Sequence, residues 1–343
     1  MTKPQASDPI ATVHRPCALC GSTESIVLWS GHEHEYPETT DATFSVVKCR
    51  SCGLGRLDPM PDVSELDRIY PPTYYSYNMV NDRRPDGSLS AKEKVSLKYT
   101  GQVLAKAMSR AGVGATDKVK LLDVGCGDGR ILDYYRASRP ADMVETWGLD
   151  INGDALAIAA KAGHKTVQGA FEDQQDGELP KGYFDIVVAR HVIEHVEDPV
   201  VFTRNAAELL RPGGVFLAAT PDFGSKDAQK FGGHWGGNHF PRHWWFFDGP
   251  SMRKVAEHVG LEATAIEYEL NPVFWTWTMH SALRDRYPDA KWVDAVFPPV
   301  SIFYGGPRSF LLQGTFTVLD SVMRRTTGMT GSMIATLRKP RVE

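Results

Sequence analysis

The sequence predicts an α/β fold: an open, doubly wound sheet preceded by a small cysteine-rich module. Three observations carry this. From Val119 onward, short apolar runs alternate with helical patterns, as expected of a parallel sheet flanked by helices. The first apolar run breaks into Gly125, Gly127 and Gly129, and the second ends in Asp150. Four of the five cysteines fall into two C-x-x-C pairs near the N-terminus.

Those pairs are Cys17-Ala-Leu-Cys20-Gly21 and Cys49-Arg-Ser-Cys52-Gly53, with 28 residues between them. A glycine after each pair lets the chain turn so that backbone N–H groups face the sulfur. Cys17, Cys20, Cys49 and Cys52 thus offer four thiolates to a tetrahedral Zn2+, and a filled set makes the ion structural. A redox pair or ordinary buried cysteines is the alternative. His32 and His34, between the pairs, read as exposed loop residues, and Cys126 belongs to the glycine loop. Strands at Ser25–Trp29 and Thr43–Val47 complete a zinc ribbon over residues 1–60. Residues 61–117 read as a helical and linker cap. This segment holds a short helix, Val63 to Tyr70, and a cluster of Tyr74, Tyr75 and Tyr77. Tyr74 and Tyr77 either pack or face a substrate. Asn81 to Ser90, with its Pro-Asp-Gly, reads as a mobile linker or lid. Ala91 to Ala111 is helical.

The main domain spans 118–270 and resumes at 328–343. Val119 to Leu122 is a buried strand, and the glycines after it let backbone N–H groups approach a ligand at a helix N-terminus. Thr146 to Leu149 is the next strand. Asp150 at its tip, 21 residues after Gly129, is placed to accept both hydroxyls of a ribose. A dinucleotide loop would carry its third glycine where Arg130 stands, and Asp123 would repel a pyrophosphate. Asp123 would instead welcome an ammonium group. A ribose at one end and an amino acid at the other describe S-adenosylmethionine. Helices at Asp154–Ala162, Val200–Leu210 and Ser251–Val259 alternate with strands at Thr166–Gly169, Phe184–Ala189, Val215–Ala219 and Leu261–Tyr268. Residues 271–327 are an insertion, with Phe310, Leu311, Phe316, Leu319 and Val322 at near-helical spacing before Arg324-Arg325. It reads as a helical pair completing the core, as a dimer interface, or as an acceptor cap that meets a hydrophobic substrate or lipid.

Leu121–Arg130 (LLDVGCGDGR), Trp147–Asn152 (WGLDIN), Gly169–Asp173 (GAFED), Tyr183–Pro199 and the Arg211–Gly214 turn (RPGG) follow one another in an order that resembles the class I S-adenosylmethionine-dependent methyltransferases. The resemblance implies a seven-stranded Rossmann-like methyltransferase sheet whose last strand, Ser332 to Leu337, is inserted antiparallel. It makes Asp123, Gly125, Gly127, Gly129, Asp150, Ile151, Phe171, Glu172 and Arg190 the candidate cofactor residues. The glycines would line the methionine end, Asp150 the ribose, and Phe171 and Glu172 the adenine. The N-terminal module is similar to that of bacterial methyltransferases of sugar and secondary-metabolite pathways.

A methyl acceptor must lose a proton, and histidine is suited to take it. His191 and His195 follow the fourth strand, while His239 and His243 lie in the aromatic run from Phe231 to Phe247. These four are the candidate bases, with His195 and His243 preferred. His234 and Arg242 are candidate substrate contacts, Arg242 for an acidic group. A net charge of −4 gives no general attraction to nucleic acid. The expected acceptor is a small molecule, sugar or lipid-linked glycan intermediate. An RNA methyltransferase with a zinc ribbon and a non-catalytic cofactor-binding scaffold are the alternatives. No apolar run is long enough to span a bilayer, and the polar N-terminus lacks a signal-peptide core, so a cytoplasmic location is expected. Peripheral membrane contact and a homodimer remain open.

Overall fold

The structure, a computed structural model, describes residues 9–78, 91–114, 116–140 and 142–341. The segment read as a linker or lid, 81–90, lies outside the described residues. The main sheet comprises β1 (Val119–Val124), β2 (Val144–Asp150), β3 (Lys165–Gln168), β4 (Phe184–Arg190), β5 (Leu210–Pro221), β6 (Glu262–Glu269) and β7 (Ser332–Arg338). Their order is β6-β7-β5-β4-β1-β2-β3. Strands β3, β2, β1, β4 and β5 run parallel, and β7 is antiparallel to both neighbours, as the sequence suggested. Central strands covered on both faces read as unbroken apolar runs, which is why Phe184 to Ala189 is buried throughout. From β1 the chain winds outward through β2 and β3, then returns to β4 on the other side. That reversal opens a crevice beyond the carboxyl ends of β1 and β4, where a ligand belongs.

The helix Ala91–Ala111 covers one face, burying Leu104, Ala107, Met108 and Ala111 at helical spacing. On the other face, Asp198 caps the helix Pro199–Leu209 by accepting from the N–H groups of Val200 and Val201.

The N-terminal ribbon is not a separate body. Its strands Ser25–His32, Thr43–Cys49 and Gly55–Leu57 are antiparallel, and Trp245–Phe246 joins them as a fourth strand. This last strand comes from the loop following β5. One apolar core therefore runs from Cys17, Phe44 and Leu57 through Phe240 and Trp244–Phe247 to Leu122 and Val187. A Cβ on Gly233 would lie 1.9 Å from the Ser30 carbonyl oxygen, so only glycine permits this closeness.

The insertion forms helices Pro272–Arg286, Lys291–Val296 and Pro307–Thr327. The last differs from a core-completing helix: its buried residues are Ser309 and Asp320, while Phe310 is 83% exposed and Leu311, Val318 and Val322 also face outward. It is anchored through Asp320, which accepts from the Trp275 indole N–H at 2.6 Å and the Asn271 N–H at 2.7 Å. Among the described residues, no helix is long and apolar enough to cross a membrane.

Trp245 is buried and donates to the Val196 carbonyl at 2.9 Å, joining the ribbon to the main domain. Trp245→Ala should cost about 3–5 kcal/mol of stability, measurable as a lowered urea midpoint.

Candidate active site

Residues around the glycine loop form a cradle. Gly125, Gly127 and Gly129 all have positive φ, at 76°, 53° and 78°. Their roles differ. A Cβ on Gly125 would meet Val192 at 2.8 Å, and one on Gly129 would meet Ala159 and His164 at 2.9 Å. Gly127 faces open space, with nothing within 4 Å of an added Cβ. Asp150 braces the loop, accepting from the Gly127 N–H at 2.8 Å and the Asn152 N–H at 2.9 Å. Its remaining lone pairs suit ribose hydroxyls. Beside it, Ile151 is 68% exposed, an apolar surface that a flat ring would cover.

Asp123 lies buried at the opposite end of the loop. Burial pushes its pKa up to about 7, with Asp150 adding to the rise and Arg190 opposing it. The cradle therefore holds an open backbone, a ribose acceptor and a buried carboxyl that an ammonium would stabilise as an anion, and it fits S-adenosylmethionine.

Phe171 and Arg190, both expected cofactor contacts, also have partners within the protein. Phe171 is a core residue, its ring edge-on to Phe202 with centroids 4.8 Å apart. Arg190 pairs with Glu269 at 3.4 Å, and the Tyr99 hydroxyl donates to the same carboxylate. Glu172 is partly buried, which raises its pKa. The sequence reading missed Glu269 and Tyr99, because their strand end and helix face meet only in the folded chain.

One turn beyond β4, the candidate bases converge. His195 packs against His243 with ring centroids 4.6 Å apart, and His239 lies 5.0 Å from His243. The His195 Nδ1 contacts the Arg242 carbonyl at 3.0 Å and the Tyr70 hydroxyl at 2.9 Å. The His243 Nδ1 donates to the Gly237 carbonyl at 2.8 Å, leaving Nε2 as an acceptor. Glu194 lies buried among them, 3.1 Å from the His191 Nδ1. Burial alone would raise the Glu194 carboxyl, but His191, His243 and His195 bring it down to about 2. Burial lowers the pKa of His195 and takes that of His243 down to about 3. Both rings are therefore neutral at pH 7 and able to accept a proton. His191 and His239 have φ of 53° and 42°, an uncommon backbone for residues other than glycine and one often met at functional sites.

Tyr74 faces this cluster, its hydroxyl 3.2 Å from the His239 Nε2, and Tyr77 packs edge-on against Tyr74. Burial, with the charges of Asp67 and Asp150, raises the Tyr77 phenol. The insertion roofs the cluster: Trp277 stacks on His239 at 5.0 Å and Phe303 on Tyr75 at 4.1 Å.

Two substrate candidates are corrected. Arg242 is fully buried, paired with Glu33 at 2.5 Å and donating to the Ile69 carbonyl at 2.7 Å, so it is not free for an acidic acceptor group. His234 stands apart, contacting Ser281 at 3.2 Å and Asp285 at 3.7 Å. His34, expected to be exposed, is buried. The alternating His32-Glu33-His34-Glu35 run was the available signal, since adjacent carboxylates bounded by strands need partners if they are buried.

The four ribbon cysteines meet as expected. Sγ atoms of Cys17 and Cys52 are 3.4 Å apart, those of Cys20 and Cys49 are 3.5 Å apart, and all four lie within 4.8 Å of one another. Zn–S bonds of ~2.3 Å in a tetrahedron put sulfurs about 3.8 Å apart. Burial works against the Cys49 thiolate, but N–H groups of Cys52 and Ser51 outweigh it and lower the pKa. The donor set fits zinc.

The raised Asp123 pKa has a measurable consequence. The native state keeps this carboxyl protonated up to about pH 7, whereas an unfolded aspartate releases its proton near ~3.9. Folding takes up a proton between those values, so stability falls as pH rises through that window. Asp123→Asn should flatten the fall, by up to about 1.4 kcal/mol per pH unit, in urea midpoints measured across it.

A family model described as a methyltransferase domain matches residues 96–266. The chain is 28% identical over 188 residues to the ubiquinone biosynthesis O-methyltransferase of Cereibacter sphaeroides, covering 53% of this chain and 74% of the relative. It is 38% identical over 107 residues to the protein of the same name from Aliivibrio fischeri, covering 29% and 43%. The chain likewise spans less than half the length of the relatives of the same name from Caulobacter, Psychrobacter cryohalolentis and Pseudomonas aeruginosa. Among solved structures, a SAM-dependent methyltransferase from Archaeoglobus fulgidus aligns with a TM-score of 0.44 at 15% identity, covering 77% of this chain and 100% of that one. With its glycine loop and Asp150 in place, the chain belongs to the class I S-adenosylmethionine-dependent methyltransferases; the family match covers residues 96–266, and β7 at Ser332–Arg338 completes the sheet beyond it.

Proposed function

We propose that this protein transfers a methyl group to a hydroxyl oxygen of a small molecule that carries an apolar portion. The observation that carries this reading is the convergence of His195, His239 and His243 with Glu194, Tyr70 and Tyr74, one turn beyond the strand that borders the cofactor crevice. A hydroxyl acceptor needs a base, and this cluster supplies neutral histidines. The relatives named as O-methyltransferases support oxygen as the acceptor atom. The apolar portion is suggested by the roof of Tyr75, Trp277 and Phe303. Sugar and lipid-linked acceptors fall within this class.

When bound, S-adenosylmethionine supplies an electrophilic methyl group. Gly127 and Asp150 would hold its ribose end, and Asp123 its amino group. His195 is the least buried of the three clustered histidines, and its orientation is fixed by Tyr70 and the Arg242 carbonyl. Its remaining ring nitrogen takes the acceptor proton as the oxygen becomes nucleophilic. Glu194 stabilises the imidazolium that results. The roof residues exclude water, so the alignment of acceptor and donor dominates the rate. The cysteine cluster would hold a structural zinc at the Ser25–Cys49 end of the ribbon hairpin, opposite the turn that carries Glu33 and Glu35.

The reading is tested by labelled methyl transfer to hydroxylated aromatic, sugar and polyprenyl-linked acceptors. His195→Ala should lower turnover roughly 10²–10⁴-fold with cofactor affinity intact, whereas Asp150→Ala should abolish cofactor binding in calorimetry. Absence of transfer to any hydroxyl acceptor, with methylation of an amine or carbon instead, would refute oxygen as the target. Metal analysis should find one zinc per chain, lost in Cys49→Ser.

A further inference from the structure

Four titratable side chains outside the proposed catalytic contacts lie in a line. His239, at the cluster, contacts Glu35 Oε1 through Nδ1 at 2.8 Å. The same Glu35 oxygen lies 4.0 Å from His34 Nε2. His34 Nδ1 meets His280 Nδ1 at 2.9 Å, and His280 Nε2 meets Asp294 Oδ1 at 2.9 Å. The side chains of His239, Glu35, His34 and His280 are nearly inaccessible, at 1%, 1%, 7% and 2%, while that of Asp294 is 56% exposed. Each histidine presents one ring nitrogen to the partner before it and the other to the partner after it. That is the requirement for a side chain that receives a proton on one side and releases another on the far side.

We infer that Tyr74, His239, Glu35, His34, His280 and Asp294 form a proton relay joining the acceptor cluster to the protein surface. This rests on the reading that an acceptor is deprotonated in the cluster. Each turnover that places a methyl group on a hydroxyl oxygen leaves one proton behind, in a pocket roofed by Trp277 and Phe303. Tyr74 stands at the pocket end of the relay: its hydroxyl contacts His239, and its ring packs edge-on against Tyr70, which contacts His195. As His239 gains a proton on one nitrogen, Glu35 takes the one on the other. Glu35 passes a proton to His34, His34 to His280, and His280 to Asp294, which yields it to water. One proton enters and one leaves; each link then carries its hydrogen on the opposite atom until a ring or hydroxyl rotation resets it. The 4.0 Å step from Glu35 to His34 must close to hydrogen-bond distance for the proton to pass.

The charge environment suits such a chain. Burial holds His239, His34 and His280 below the usual histidine range, and burial with the neighbouring Glu33 holds Glu35 above the carboxylate range. Arg242, paired with Glu33, faces Glu35 and His239, and Arg284 faces Asp294, so no link stores the proton permanently. Burying four titratable groups is costly when packing alone is the purpose. Transport of a proton accounts for their continuity. The links come from the ribbon turn, the loop after β5 and the insertion, so each appended segment contributes a part.

The test needs no acceptor. Ring N–H protons of the zinc-loaded full chain, labelled with 15N-histidine, are followed by saturation transfer from water. His239 should exchange rapidly despite its burial. His280→Gln and His34→Gln should each slow that exchange by about ten-fold or more, and His234→Gln, which lies off the relay, should leave it unchanged. A merely structural role would have the opposite sign, because loosened packing speeds exchange. Unchanged or faster exchange in both His280→Gln and His34→Gln, or equal slowing in His234→Gln, would overturn the relay. Failure of methyl transfer in the acceptor screen would refute the proposed function while leaving this result standing.

Discussion

The buried ion pair between Glu33 and Arg242 is the constraint on which the rest of the site depends. Two charges removed from water are tolerated only when they meet in good geometry, and removing one partner costs about 3–5 kcal/mol. Here the guanidinium also donates to the carbonyls of Ile69 and Phe240 and lies over the Tyr36 ring at 4.6 Å. One side chain thus pins the ribbon turn, the short helix that ends at Ile69 and the loop that carries His239 and His243. Were it displaced, Glu35 would lose its alignment with His239, and the carbonyl that orients His195 would move.

Two kinds of precision meet in the crevice. The cofactor side is built from backbone: positive-φ glycines, one carboxylate that braces the loop, and a strand order that leaves the crevice open. The acceptor side is built from side chains held by segments far apart in sequence, with Tyr70, Glu194 and His243 brought together by three separate connections. Backbone precision comes with the fold itself. Side-chain precision must be enforced by packing, and the roof from the insertion and the ribbon's continuous core provide it.

This division explains what could be read without the structure. The sheet was legible because buried parallel strands are apolar throughout, and the cradle because Gly125, Gly127, Gly129 and Asp150 sit at fixed offsets from two strand ends. The cysteine cluster was legible from spacing alone. Arg242 was not, since a cation among aromatics reads equally well as a ligand contact or as half of an ion pair, and its partner lies 209 positions earlier in the chain. The packing of the Phe171 ring against Phe202 was not legible either, since the two lie 31 positions apart in the chain. The insertion's final helix showed its periodicity but not its polarity: Asp320 faces the protein to satisfy Trp275, which turns Phe310 and Leu311 outward.

The fourth strand of the ribbon, Trp245–Phe246, has a consequence for how the chain is made. Synthesis proceeds from the N-terminus, and domains generally fold as they emerge. This ribbon cannot do so. Its sheet edge at Gly55–Leu57 stays unpaired, and Glu33 stays without its cation, until nearly 190 further residues have left the ribosome. Metal capture by the cysteines can occur early, because all four lie within the first 52 residues. The ion would then hold a half-built module in a compact form while its exposed strand waits. In such a chain a bound metal would act as a placeholder during biogenesis as well as a brace afterwards.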